Sequence, residues 1–139
     1  MILKEIQRKL CNNFSIIGIE TPELDARIIL KEVLSLDDKD LILKESLDIS
    51  NEMIEKIIAI ESRRLNGEPI SKIFKKRDFY NSTFLISNDV LDPRPETELI
   101  VEIANNYINK NEVKNILDLG TGSGCILLSI LKENKMING

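Results

Sequence analysis

The sequence predicts an α+β fold: a helical N-terminal half, then a β-hairpin, then the first strand and helix of a doubly wound sheet. Three observations predict it. Apolar residues recur at helical spacing as far as Gly67, between capping residues and short polar breaks. Bulky and β-branched residues then gather at Phe79, Tyr80, Phe84, Leu85 and Ile86 around a polar pair. Last, the apolar run Asn115-Ile116-Leu117-Asp118-Leu119 leads straight into Gly120-Thr121-Gly122-Ser123-Gly124 and a further helical pattern.

Each element has its own signal. Residues 1–13 read as a helix through Ile2, Leu3, Ile6 and Leu10, and Gly18 breaks the pattern. A second helix starts at Thr21 as N-cap, with Pro22 at its first position and Glu23 in its first turn. Its apolar stripe is Leu24, Ile28, Val33 and Leu34, widened by Ile29 and Leu30. Asp37 and Asp38 precede a brief helix near residues 41–43. Ser50 caps a helix with Glu52 in its first turn, the apolar face Met53, Ile54, Ile57, Ile58 and Leu65, and Gly67 as the residue that stops it. The character changes at Pro69. A hairpin is expected over residues 77–88, with Asn81-Ser82 as its turn. Pro93 and Pro95 stiffen the connector, and Pro95 opens a helix over residues 96–109 that buries Leu99, Ile100, Ile103 and Ile108. Residues 115–119 form a strand, and a helix starting near Ser123 carries Ile126, Leu127 and Ile130.

Composition narrows the function classes. The 139 residues are 42% hydrophobic and 30% charged, which marks a soluble globular chain. The net charge of −4 gives no basic stripe of the kind that binds nucleic acid, and Lys75-Lys76-Arg77 reads as a solvated connector. The chain has no histidine, and its two cysteines, Cys11 and Cys125, are too few for a zinc site or a disulfide framework. Cys125 reads as a small buried residue. No metal is expected. No apolar run is long enough to span a membrane and no signal-peptide pattern opens the chain, so the expected compartment is the cytoplasm.

The glycine loop carries the chemistry. Glycines let backbone N–H groups approach a ligand closely, and a helix N-terminus favours an anionic group. Dinucleotide sites usually show G-x-G-x-x-G, whereas Gly120, Gly122 and Gly124 follow G-x-G-x-G. Asp118 lies two residues before the first glycine. A carboxylate facing an ammonium, beside amides facing a carboxylate, suits the zwitterionic end of S-adenosylmethionine better than a pyrophosphate. A dinucleotide enzyme remains the disfavoured reading of the loop.

Five segments, in order and covering nearly the whole chain, resemble the release-factor glutamine N5-methyltransferases, the HemK family. They are Thr21-Pro22-Glu23-Leu24-Asp25-Ala26-Arg27, Arg63-Arg64-Leu65-Asn66-Gly67-Glu68-Pro69-Ile70, the Phe79-Tyr80 and Phe84-Leu85-Ile86 pair, Pro93-Arg94-Pro95-Glu96-Thr97-Glu98, and Ile116 through Cys125. The resemblance implies a helical release-factor-recognition domain over 1–72, a hairpin and Pro-rich linker over 73–95, and the start of a Rossmann-like, S-adenosylmethionine-dependent methyltransferase domain over 96–139. The implied reaction methylates the glutamine of the Gly-Gly-Gln motif of class 1 release factors. Gly120, Thr121, Gly122, Ser123 and Gly124 would form the donor loop, Asp118 would sit at its base, and Leu91 and Arg94 would border the pocket. For Arg94, a surface ion pair with Glu96 or Glu98 is an equal alternative.

Three departures stand out. Asp92 replaces the family's apolar residue before Pro-Arg-Pro, and these residues contain neither the Asn-Pro-Pro-Tyr motif that orients the substrate amide nor the acidic residue that ends the second strand and grips the donor ribose. The expectation is therefore a truncated chain, inactive alone, with residues 1–90 able to fold and the region after Asn111 weakly ordered. The alternatives are a non-catalytic release-factor-binding module and a piece of a bifunctional enzyme fused to a tRNA guanine-N7 methyltransferase.

Overall fold

The computed structural model describes residues 1–87 and 89–139. The chain divides into two compact units, Met1–Ile73 and Phe74–Gly139. It is α+β, with a helical first unit and a two-stranded antiparallel sheet in the second.

The first unit holds five helices: α1 (Leu3–Ile16), α2 (Pro22–Leu34), α3 (Asp38–Leu43), α4 (Asn51–Leu65) and α5 (Ile70–Phe74, whose last residue crosses the boundary). Helix α1 buries Leu3, Ile6, Leu10 and Phe14, a stripe of helical period. It starts later and ends later than its pattern suggested, because its first donors find partners in the segment before α4. The Leu3 and Lys4 N–H groups donate to the carbonyls of Leu47 and Glu45. Asp37 and Ser50 cap α3 and α4 by accepting from the Asp40 and Met53 amides. Thr21 precedes Pro22 as expected but does not cap: its hydroxyl donates to Asp25 Oδ1, 3.2 Å away.

The buried face of α2 differs from the predicted stripe. Ala26, Ile29 and Leu30 are buried and Leu24 is exposed, while Asp25 lies inside. Arg64 explains this: its Nε donates to Asp25 Oδ2 at 2.7 Å, pairing the buried carboxylate across α2 and α4. On α4, Ile57 and Glu61 are buried and Ile58 is exposed, with Glu61 accepting from Asn13 Nδ2 at 2.7 Å. Helix α5 was not foreseen; the Lys72 and Ile73 amides both donate to the Pro69 carbonyl, so Pro69 starts this turn.

In the second unit, β1 (Lys76–Phe79) pairs antiparallel with β2 (Ser82–Leu85). The turn is Tyr80-Asn81, both at positive φ, rather than Asn81-Ser82; Ser82 is needed in the ladder opposite Phe79. Asn88, the last residue of the expected hairpin, lies outside the described residues. A 3₁₀ turn, Pro95–Thr97, leads into α6 (Glu98–Lys110).

Helix α6 is apolar on two faces. Val101 is 0% exposed, with Ala104 and Ile108 on the same i, i+3, i+7 stripe packed behind it. Contrary to expectation, Leu99, Ile100 and Ile103 are exposed, Ile103 at 60%. The second face lines an open apolar groove of 520 Å³ with Tyr107, Val113 and Ile116.

Residues 115–119 do not form the predicted strand. A single parallel bridge joins Asn115 to Asn138, through Ile116 N–H to the Asn138 carbonyl (2.8 Å) and Asn138 N–H to the Lys114 carbonyl (3.0 Å). A strand exists only where a neighbour completes its ladder, and one bridge is too short to define it. Helix α7 (Cys125–Glu133) lies between the two bridging segments, the order of a β-α-β crossover. Among the described residues no helix is long and apolar enough to cross a membrane.

Candidate functional site: the glycine loop

The loop's shape comes from its glycines. Gly120, Gly122 and Gly124 take φ of 77°, 55° and 75°, a region in which L side chains are strained. At Gly124 space matters too, since an added Cβ would lie 3.3 Å from Leu128 Cδ1. Gly120 has open space around it, so there only the backbone conformation requires glycine.

The loop closes into α7 through three bonds. The Gly124 N–H donates to the Thr121 carbonyl at 2.8 Å, the Cys125 N–H to Ser123 Oγ at 3.4 Å, and the Leu128 N–H to the Gly124 carbonyl at 2.9 Å. The helix therefore begins at Cys125, two residues later than expected, because Gly124 at positive φ cannot continue it. Cys125 is buried as predicted and shares a core with Phe79, Val101 and Ile130. Phe79 and Phe84 meet edge to face, their ring centroids 6.2 Å apart. The hairpin thus packs directly beneath the residue that ends the loop.

Asp118 stands at the loop's base. Its Oδ2 is buried and has no hydrogen-bond partner among the described residues. A buried carboxylate oxygen without a donor is costly, and here it lies at the base of a glycine loop that opens onto the N-terminus of α7. A ligand that offers a cationic donor to Asp118 and an anionic group to the amides would satisfy both.

The connector residues are more dispersed. Pro93 is buried, Leu91 is 76% exposed, and Arg94 is exposed at the start of the 3₁₀ turn. Glu98, one proposed partner of Arg94, instead accepts from the Tyr80 N–H at 3.0 Å. Nothing in the sequence signalled three residues that hold the hairpin in place: Asn105, Lys132 and Asn134. Their partners Tyr80 and Glu98 lay within recognised segments. Among the described residues no cluster of His, Cys, Asp and Glu could hold a metal ion.

The model of the PrmC N-terminal domain family matches residues 5–74. The chain belongs to that family. Its curated relatives extend the likeness through the glycine loop. It is 35% identical over 131 residues to the release factor glutamine methyltransferase of Coxiella burnetii, covering 94% of this chain and 47% of that protein. It is 32% identical over 126 residues to the enzyme of the same name in Agrobacterium fabrum, covering 88% and 44%. A bifunctional methyltransferase of Rickettsia typhi is 33% identical over 149 residues, covering 94% of this chain and 29% of that protein. The chain thus spans less than half the length of these relatives.

Proposed function

We propose that this chain is the N-terminal portion of a release factor glutamine methyltransferase. In this reading the helical unit docks a class 1 release factor in the cytoplasm, and the second unit opens the domain that binds S-adenosylmethionine. The observation that carries the donor site is the unpartnered Asp118 Oδ2 at the base of a loop with three left-handed glycines. The likeness of the whole chain to named release factor glutamine methyltransferases carries the substrate class.

These residues fit the donor. Asp118 would hold its ammonium and the amides of Gly120, Thr121, Gly122 and Ser123 its carboxylate; Gly124, whose N–H is engaged by the Thr121 carbonyl, would shape the loop, and Leu91 and Arg94 would border the pocket from the connector. Bound there, the donor supplies an activated methyl group, so the protein's task is to position the two partners and exclude water. The chain's own contribution is a preset cradle. The three left-handed glycines fix the amides before any ligand arrives, and Asp118 is already desolvated on one oxygen.

Titration calorimetry with S-adenosylmethionine tests this. Measurable heat for the chain, abolished by Asp118→Ala, is the expected result. Binding unchanged by Asp118→Ala would remove the cradle. The match to a bifunctional methyltransferase favours a second reading, in which the parent protein carries another enzyme as well.

A further inference from the structure

Tyr80 and Asn81 both sit in the left-handed region, at φ of 43° and 57°, and neither is glycine. A tyrosine is strained there, and such strain persists only where surrounding contacts hold it. Those contacts come from both helices of the unit. Glu98 of α6 accepts from the Tyr80 N–H. Lys132 of α7 donates to the Asn81 carbonyl and to Ser82 Oγ, each at 2.8 Å. Asn105 of α6 lies between the two: its Nδ2 donates to the Tyr80 hydroxyl at 3.3 Å, and its Oδ1 accepts from Asn134 Nδ2 at 2.7 Å. Asn134 is the C-cap of α7 and donates from the same nitrogen to the Ile130 carbonyl.

One amide side chain therefore touches the hairpin turn and the C-terminal end of α7. The other end of α7 is the glycine loop, since Gly124 is its N-cap. The helix has 9 residues, too few to absorb a displacement by bending. Whatever fixes its C-cap against the hairpin also fixes where its N-terminus presents the loop.

We propose that Asn105 is a positioning residue for the donor loop, holding the strained hairpin turn and the α7 C-cap in register so that residues 120–124 keep their geometry. Its functional meaning rests on the reading of that loop as the donor cradle.

The test is ¹⁵N NMR of the whole chain carrying Asn105→Leu, Asn105→Asp or Tyr80→Phe. Leucine removes both bonds at similar volume. Aspartate keeps the acceptor for Asn134 and accepts from the Tyr80 hydroxyl, which can turn to donate. Asn105→Leu is expected to displace the Gly120, Gly122 and Gly124 amide resonances and to speed exchange at the Tyr80 amide about tenfold. Asn105→Asp should leave the glycines in place, and Tyr80→Phe should shift them by less than leucine does. Lower thermal stability of Asn105→Leu with unmoved glycine resonances would overturn the proposal and leave a purely structural contact. Should Asn105→Leu fail to fold, Tyr80→Phe and Asn134→Ala decide, and unmoved glycines in both would overturn it. Failure of the wild-type chain to bind S-adenosylmethionine would defeat the donor reading alone, because the glycine displacement is read without ligand.

Discussion

The two units differ in how they use apolar surface. In the first, α1, α2 and α4 turn single stripes inward, and Leu3, Phe14, Ala26, Ile29 and Leu30 are fully buried. In the second, α6 is apolar on two faces and buries only one, while Leu117 and Leu119 beside the glycine loop are 79% and 84% exposed. The helices of the first unit meet in one shared core, and its most exposed apolar residues, Ile16, Ile42 and Leu43, lie at the end of α1 and on the short α3. The second holds a tight centre around Phe79, Val101 and Cys125 and a wide apolar margin. On the proposed reading the first unit is a self-contained docking domain and the glycine loop belongs to a doubly wound sheet.

The units also differ in their polar fastening. Ion pairs stitch the first unit: Lys4 with Glu45, Lys31 and Arg27 with Asp38, Arg63 with Glu68, and Arg64 with the buried Asp25. The latch in the second unit is a set of hydrogen bonds gathered on one strained turn.

Substitutions sharpen this contrast. Phe14→Ala, at a fully buried site, should destabilise the first unit by about 3–5 kcal/mol in a denaturant titration. Arg64→Leu comes next, at about 3 kcal/mol, because it strands the Asp25 carboxylate inside without its partner. Val101→Ala should cost about 2 kcal/mol, confined to the second unit. Ile103→Glu should change stability by less than about 0.5 kcal/mol, although the sequence marks it as a core residue. A large loss at Ile103 would mean that the second apolar face is covered in solution.

Acid should act on the first unit. Lys31 and then Arg27 hold the Asp38 carboxyl below its ordinary range, Lys44 does the same for Asp40, the amino terminus for Asp48, and Arg63 for Glu68. Each folded value is lowered, so each contribution is present above the ordinary carboxylate range. It is lost as pH falls below about 4 and through the folded values. All four groups lie at the surface, so the effect is small and shrinks further in high salt. Thermal melts of the first unit at pH 7 and pH 3, at low and high salt, check both points.

Local signals were the legible part of the sequence. Thr21-Pro22, Ser50 and Gly67 mark helix ends because capping is decided within a few residues, and Gly67 does take a left-handed φ of 89°. The glycine loop was legible for the same reason. What the sequence hid depends on distant partners. Nothing local marks Asp25 as buried; its partner Arg64 lies 39 positions away. Leu99, Ile100 and Ile103 carry the same apolar character as Val101, and only the hairpin's position shows which face is covered. The strand at 115–119 was read from its apolar run, yet a strand is a property of two segments, and here they meet at one bridge. The hairpin turn moved by one residue because Tyr80 tolerates a left-handed φ only when α6 holds it.

Hydrogen exchange along the whole chain, read by peptide mass spectrometry, tests the central contrast most directly. Helices α1, α2 and α4 should exchange together and slowly, Phe79 and Val101 should be protected to a lesser degree, and residues 112–124 should exchange fastest of all. Equal protection from α1 through residue 124 would contradict this contrast.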